Sequence, residues 1–169
     1  VQLVSKPPRL EGSDMDIRRF KEEDAEKVSE LVCRNLIEIN GKEYPLAEMK
    51  QLAEGYHPGK IKSIASHAHM YVVIEDARIV GTGAIGSFCG SETESMLLTI
   101  FVLPEYHGTG VGTAIIKALE QDELFYRANR IELPSSKTAC KFYEKMGYHY
   151  KNGEKVLDED GLYSMEKFR

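Results

Sequence analysis

Apolar positions along this chain recur at two different spacings, and the changes of spacing mark out its elements. Val28, Leu31, Val32, Asn35, Leu36 and Ile39 fall three and four residues apart, the stripe of an amphipathic helix. Glu22, Glu23 and Asp24 precede it, where carboxylates favour the positive end of a helix. Asn40-Gly41 ends it. Leu46, Met49, Leu52 and Ala53 predict a short helix after Pro45, and Ile61, Ile64 and Ala65 another after Pro58. Residues 15–20 read as a first strand. Residues 70–75 (M-Y-V-V-I-E) and 78–87 (R-I-V-G-T-G-A-I-G-S) read as two more, joined by a tight turn at Asp76-Ala77. Gly81, Gly83 and Gly86 in the latter allow close approach of another segment, or bulges. A long strand follows at 94–103 and a short one at 130–133. A helix over 137–146, capped by Ser135 or Ser136, carries Ala139, Phe142, Tyr143 and Met146 as its stripe. Residues 148–151 and 162–167 close the pattern as an antiparallel pair. There is no internal repeat and no sign of a second domain.

The stretch T-I-F-V-L-P-E-Y-H-G-T-G-V-G-T-A-I-I-K-A-L-E-Q, residues 99–121, organises the rest. Thr99, Ile100, Phe101 and Val102 favour a strand, and Pro104 ends its ladder by removing a donor. Gly108, Gly110 and Gly112 follow at alternate positions, then Val111, Ile115, Ala118 and Leu119 at helical spacing. A strand, a glycine turn and a helix start in succession make an anion site, because the first helical amides lack partners and the dipole adds positive charge. A phosphate is the expected guest. The dinucleotide pattern G-x-G-x-x-G is absent, and the P-loop Lys-Ser/Thr does not follow Gly112. Both nucleotide readings fail on residues.

Composition narrows the classes further. The chain has 169 residues, 22 Lys plus Arg against 27 Asp plus Glu, and a formal net charge of −5. No basic run of the density nucleic acid needs is present. Mild acidity is compatible with a cationic acceptor such as an amine. No apolar run approaches a membrane span, so no membrane partner is expected. Cys33, Cys89 and Cys140 are odd in number and far apart, the usage of reduced cysteines in a cytoplasmic protein. His67-x-His69 lacks a third ligand at useful spacing, so no metal site is expected. Residues 1–14 hold Pro7, Pro8, Gly12 and Ser13 with no Met before Met15. They read as a tag remnant or disordered leader outside a domain at 15–169.

The glycine turn, read His107-Gly108-Thr109-Gly110-Val111-Gly112, resembles motif A of the GNAT superfamily of N-acetyltransferases. That motif carries Arg or Gln where His107 stands. A second stretch, A-C-K-F-Y-E-K-M-G-Y over residues 139–148, resembles the family's motif B. Together the two motifs and the element order extend the resemblance over residues 15–168. It implies a single GNAT-type α/β (α+β) domain: a central, mixed, mostly antiparallel, twisted sheet of about seven strands with helices on both faces.

The resemblance also implies a reaction and a site. Acetyl-CoA would be the co-substrate and a primary amine, of a small molecule or a peptide, the acceptor. Main-chain groups of Ile100, Phe101 and Val102 would pair with pantetheine, and those of Gly108, Thr109, Gly110, Val111, Gly112 and Thr113 would hold the pyrophosphate. Ser136 stands where many relatives contact the cofactor with Asn. Tyr143 occupies the general-acid position, and a phenol is protonated at pH 7. Relatives often carry a Glu base at the position of Met96. Period-2 alternation puts Glu94, Met96, Leu98, Ile100 and Val102 on one face, so Glu94 is the nearest carboxylate, with Glu132 on the neighbouring strand as runner-up. The base thus stays open. His107 near the phosphates would weaken cofactor binding as pH rises from about 6 to 8; as a turn residue facing water it would not. Tyr44, Tyr56, His57, His67 and His69 are the polar aromatic residues of the segment expected to border the acceptor. A non-catalytic acyl-CoA-binding or sensing domain is the alternative, kept open by Met96 and His107. Homodimerisation through sheet edges also stays open.

Overall fold

A computed structural model describes residues 14–169; the expected leader at 1–14 lies, but for Asp14, outside the described residues. Seven strands form one sheet in the order β1-β2-β3-β4-β5-β7-β6. They are β1 (Asp16–Arg19), β2 (His69–Glu75), β3 (Arg78–Ser87), β4 (Glu94–Val102), β5 (Arg130–Ser135), β6 (His149–Tyr150) and β7 (Tyr163–Phe168). Only β4 and β5 pair in parallel. The helices are α1 (Ala25–Glu38), α2 (Leu46–Gly55), α3 (Pro58–His67), α4 (Val111–Leu119), α5 (Glu123–Tyr126) and α6 (Cys140–Lys145). Helices do flank both faces, as expected of the fold.

Two glycines on β3 explain how α4 sits so low on its face. A Cβ at Gly81 would lie 2.7 Å from Val111 Cγ1, and one at Gly83 would lie 2.5 Å from Ile115 Cγ2. The absent side chains let Val111, Ile115, Ile116 and Leu119 bury almost completely against the sheet, each worth roughly 1.5–3 kcal/mol. The opposite face carries α1 to α3. There Phe101, paired with Thr82, meets the Tyr56 ring edge-on at 6.3 Å. The β2–β3 turn is a mirror-image hairpin, with Asp76 at φ 50° and Ala77 at φ 58°.

β4 departs from regular alternation. Two residue steps on β3, Thr82 to Ala84, face three on β4, Phe101 to Leu98, and the extra residue is Thr99 at φ 53°. This bulge inverts the pleat. Glu94, Met96 and Leu98 therefore share the face of α1, whereas Val102 opposes Gly81 under α4 and Ile100 Cγ1 lies 3.4 Å from the Gly83 position. The expected single face for Glu94, Met96, Leu98, Ile100 and Val102 is thus corrected: sequence alternation cannot register an inserted residue.

Other boundaries shift for local reasons. The helix expected over 137–146 begins only at Cys140, because Ser136 Oγ accepts the Ala139 amide at 3.3 Å and holds 137–139 as turns. α5 was not anticipated. It exists because Asp122 caps it, accepting the Leu124 amide at 2.8 Å. The same buried carboxylate accepts Tyr71 Oη at 2.6 Å and meets His69 Nδ1 at 2.9 Å. Burial pushes the Asp122 carboxyl up, but these donors outweigh it and hold it below its ordinary value. A depressed carboxyl stabilises the fold above its unfolded pKa, near 4, and that contribution fades as pH falls through the lower folded value. Asp122→Ala should therefore cost about 1–3 kcal/mol at pH 7 by leaving these donors unpaired. Urea unfolding at pH 7 and pH 3 should show the gap to wild type shrinking at the lower pH.

Candidate active site

The parallel pairing of β4 with β5 lasts only three rungs: Glu94 with Arg130, Ser95 with Ile131, and Met96 with Glu132. Beyond Met96, β4 keeps its ladder with β3 while β5 keeps its ladder with β7. The sheet therefore forks, and among the described residues no strand lies against the β5-facing edge of residues 97–102. Ile100, Phe101 and Val102 lie on that edge.

The glycine turn stands at the tip of the β4 prong. Gly108 and Gly110 have φ of 74° and 91°, and nothing lies within 4 Å of a Cβ built on either. Gly110 is the N-cap of α4. The amides of Gly108, Gly110, Val111, Gly112 and Thr113 bond to no backbone acceptor among the described residues. Five donors around an open helix end fit a pyrophosphate. Gly112 has a different task. A Cβ there would lie 3.2 Å from Phe142 Cζ, so glycine lets α6 pack against the first turn of α4.

Tyr143 follows Phe142 on α6. Tyr143 is 6% exposed, with its ring edge-on to Phe142 at 5.2 Å and to Tyr148 at 6.3 Å. Its hydroxyl makes no hydrogen bond among the described residues, and burial pushes the phenol well above its usual range. Ser136 Oγ accepts the Ala139 amide in the turn before α6, but Ala139, not a serine, is the helix N-cap, because the turn at 137–139 delays the helix start. His107 is exposed, and its Nε2 lies 2.9 Å from the Val102 carbonyl and 3.3 Å from Asn35 Oδ1. One ring nitrogen is thus turned toward the end of β4.

On the α1 face, a charged cluster lies at the base of the fork. Arg130 reaches Glu166 Oε2 at 2.8 Å, Glu132 Oε1 at 3.1 Å and Glu94 Oε1 at 3.3 Å. Lys151 Nζ also meets Glu132 Oε1, at 2.7 Å. The Phe88 ring covers both cations, 5.3 Å from Arg130 Cζ and 5.6 Å from Lys151 Nζ. Phe88, Met96, Glu132, Leu133, Pro134, Lys151 and Ser164 line a cleft of about 310 Å³ here. Glu132 is 7% exposed, yet its Oε2 has no hydrogen-bond partner among the described residues. Glu94, the carboxylate favoured from sequence, sits two rungs behind the cleft in the grip of Arg130. Arg130, Lys151, Glu166 and Phe88 escaped the sequence reading. They come from four separate segments, and only the polar alternation at Arg130 and Glu132 hinted at a charged face.

The acceptor-side aromatic residues disperse. Tyr56 packs on Phe101, His57 accepts the Lys60 amide at 3.2 Å to cap α3, His67 bonds near Ser63, and His69 joins Asp122. Only Tyr44 reaches the fork region.

A family profile described as "Acetyltransferase (GNAT) domain" matches residues 66–150, which hold the fork, the glycine turn and Tyr143. The chain belongs to the GNAT acetyltransferase family. Solved structures show the same fold. The PaiA N-acetyltransferase of Thermoplasma acidophilum, in complex with coenzyme A, superposes with a TM-score of 0.78 at 17% identity, over 92% of this chain and 99% of that one. A GCN5-related N-acetyltransferase from Rhodopseudomonas palustris gives 0.76 at 21%, over 95% and 99%. An aminoglycoside 6'-N-acetyltransferase complexed with coenzyme A gives 0.67 at 17%, over 90% and 96%. No curated protein sequence matches the chain significantly. Among the described residues no helix is long and apolar enough to cross a membrane.

Proposed function

We propose that this protein transfers the acetyl group of acetyl-CoA to a primary amine, with both substrates held at the fork. The observation that carries this reading is the meeting of five unpaired amides, at an open helix end, with a strand edge that has no neighbour. When bound, acetyl-CoA supplies an acyl thioester whose carbonyl carbon an amine can attack. Main-chain groups of Ile100, Phe101 and Val102 hold its pantetheine arm, and the amides of residues 108–113 hold its pyrophosphate. Ser136, in the turn before α6, and His107, 2.9 Å from the Val102 carbonyl, stand at the two ends of that seat. The coenzyme A in two of the related structures supports the same seat here.

A C–N bond forms and a C–S bond breaks, so one proton must leave the amine and one must reach the sulfur. Tyr143 Oη keeps its proton because burial disfavours the phenolate, and it donates to the departing sulfur. On the amine side, Glu132 lines the cleft and takes the proton, directly or through water, while Glu94 orients Arg130 behind it. Holding both reactants in line can supply roughly 7–11 kcal/mol of the barrier. The three separate free cysteines support a cytoplasmic setting for this activity.

Calorimetric titration with acetyl-CoA, CoA and ATP, followed by thiol release with a panel of amines, tests the proposal. Micromolar binding of the first two, none of ATP, and amine-dependent thiol release are expected. No binding of acetyl-CoA would remove the assignment. Binding without thiol release across the panel would turn it into a sensor.

A further inference from the structure

Asn35 is a polar residue in the buried stripe of α1, only 3% exposed. A buried amide needs partners for two N–H groups and one oxygen. Here Nδ2 donates to the Leu31 carbonyl at 3.1 Å, within the helix, and to the Val102 carbonyl at 2.6 Å, at the end of β4. Oδ1 lies 3.3 Å from His107 Nε2, and that nitrogen lies 2.9 Å from the same Val102 carbonyl. Both neighbours of Nε2 are acceptors, so it carries the hydrogen and donates. The amide of Asn35 thus fixes the last peptide plane of β4 and the ring that stands just before the glycine turn.

Arg34, one residue earlier on α1, holds the segment between those two points. Its Nη1 and Nη2 donate to Glu105 Oε1 and Oε2 at 3.1 and 3.0 Å. Glu38 steadies the other edge of the guanidinium at 3.1 and 3.0 Å. Arg78, at the start of β3, brings a second guanidinium to 3.1 Å from Glu105 Oε1. Single surface ion pairs are worth little, but a bidentate pair inside a network does hold a position. Arg34 accordingly keeps the Glu105 carboxyl below its ordinary value. Residues 102–107 are therefore gripped at Val102, Glu105 and His107 by side chains of α1. Gly108 follows at once, and with it the amides that bond to no backbone acceptor among the described residues.

We infer that Arg34 and Asn35 are positioning residues of the pyrophosphate seat, setting the orientation of the glycine turn from α1. This rests on the acetyl-transfer reading and extends its cofactor site to a helix outside the two motifs. Gly108 and Gly110 open the turn to a ligand, but they also leave its backbone pliant. Amides stabilise an anion well only when neighbouring groups hold them convergent to within about 0.5 Å. The pantetheine edge has a different support. Leu98, Phe101 and Val102 pair with Ala84, Thr82 and Gly81 of β3, and that ladder does not involve α1. Loss of the α1 contacts therefore weakens recognition of the phosphates and spares that of the thioester arm. At Glu105 the two possible effects have opposite signs. Removing an anion three residues before a phosphate seat favours binding by charge alone, whereas removing a hold on the turn opposes it.

The test is calorimetric titration with acetyl-CoA and with S-acetylpantetheine, which keeps the thioester arm and lacks the pyrophosphate. Wild type, Asn35→Leu, Arg34→Met and Glu105→Ala are compared. Asn35→Leu should raise the Kd for acetyl-CoA at least about tenfold, and the other two at least about threefold. S-acetylpantetheine should stay within about twofold of wild type in all three. Arg34 and Glu105 are 37% and 38% exposed, so their variants keep the test decisive if Asn35→Leu fails to fold. Equal weakening of both ligands would make the contacts structural only and overturn the inference. An unmoved acetyl-CoA Kd in the variants, or a lower one in Glu105→Ala, would overturn it as well. In each of these cases wild type still binds acetyl-CoA and the acetyl-transfer reading stands. Absence of acetyl-CoA binding in wild type overturns that reading itself and the inference with it.

Discussion

Tyr143→Phe should lower kcat by about 10²- to 10⁴-fold while leaving the Kd for acetyl-CoA within about threefold of wild type. The separation follows from what each part of the side chain does. The ring fills space between Phe142 and Tyr148, and Phe would keep both edge-on contacts. The hydroxyl bonds to nothing among the described residues, so its removal leaves no partner stranded. Stability should accordingly change by less than about 0.5 kcal/mol. A purely structural tyrosine would show neither the large kcat loss nor this separation. The pH profile adds a second readout. Burial raises the phenol above its ordinary value near 10, so Tyr143 stays protonated through about pH 9 and imposes no alkaline limb there. Rapid-quench kinetics should place the loss in the chemical step; an equal loss in acetyl-CoA affinity would show that the residue holds the cofactor instead.

The parts of this site that lie close together in sequence were legible before any coordinates. The strand, glycine turn and helix of residues 99–121 carry their own chemistry, because spacing alone leaves helix-start amides without partners. Tyr143 was singled out by resemblance to the family's second motif, which also sets Phe142 against Gly112. Three features were not. The bulge at Thr99 adds one residue to β4 and reverses the faces beyond it, which no alternation count contains. The cluster of Arg130, Glu132, Lys151, Glu166 and Phe88 arises only when β5, β7 and the chain after β3 are brought together. The contacts of Glu43 with Thr138 and of Tyr44 with Gly161 join segments more than ninety residues apart in sequence. The proposed cofactor seat is thus written locally and the proposed acceptor cleft tertiarily. Fold alone does not name an acceptor.

Gly83→Ala should both destabilise the protein and weaken acetyl-CoA binding, although Gly83 touches neither substrate. Its added Cβ would stand 2.5 Å from Ile115 Cγ2, 3.2 Å from Leu119 Cδ1 and 3.4 Å from Ile100 Cγ1. The first distance is inside any tolerable contact, and Ile115 and Leu119 are nearly fully buried with no room to turn. α4 must therefore lift from the sheet, at a cost of about 1–3 kcal/mol. For a chain of this size that is a fall in Tm of about 2–12 °C. Lifting α4 also moves its N-terminus, which holds the unpaired amides of Val111, Gly112 and Thr113. Because Phe142 rests against Gly112, the shift passes to α6 and Tyr143 as well. A Kd for acetyl-CoA raised by about five- to thirtyfold would follow from losing about one to two kcal/mol of charge-assisted hydrogen bonding. Gly86→Ala is the matched control, since its Cβ would meet Ala68 Cβ at an ordinary 3.4 Å. Calorimetric Kd and thermal melts of the two variants decide the matter. A Gly83→Ala protein that melts lower yet binds acetyl-CoA normally would mean that the turn holds its shape independently of α4. Equal behaviour of the two variants would mean that α4 rides on the sheet with slack to spare.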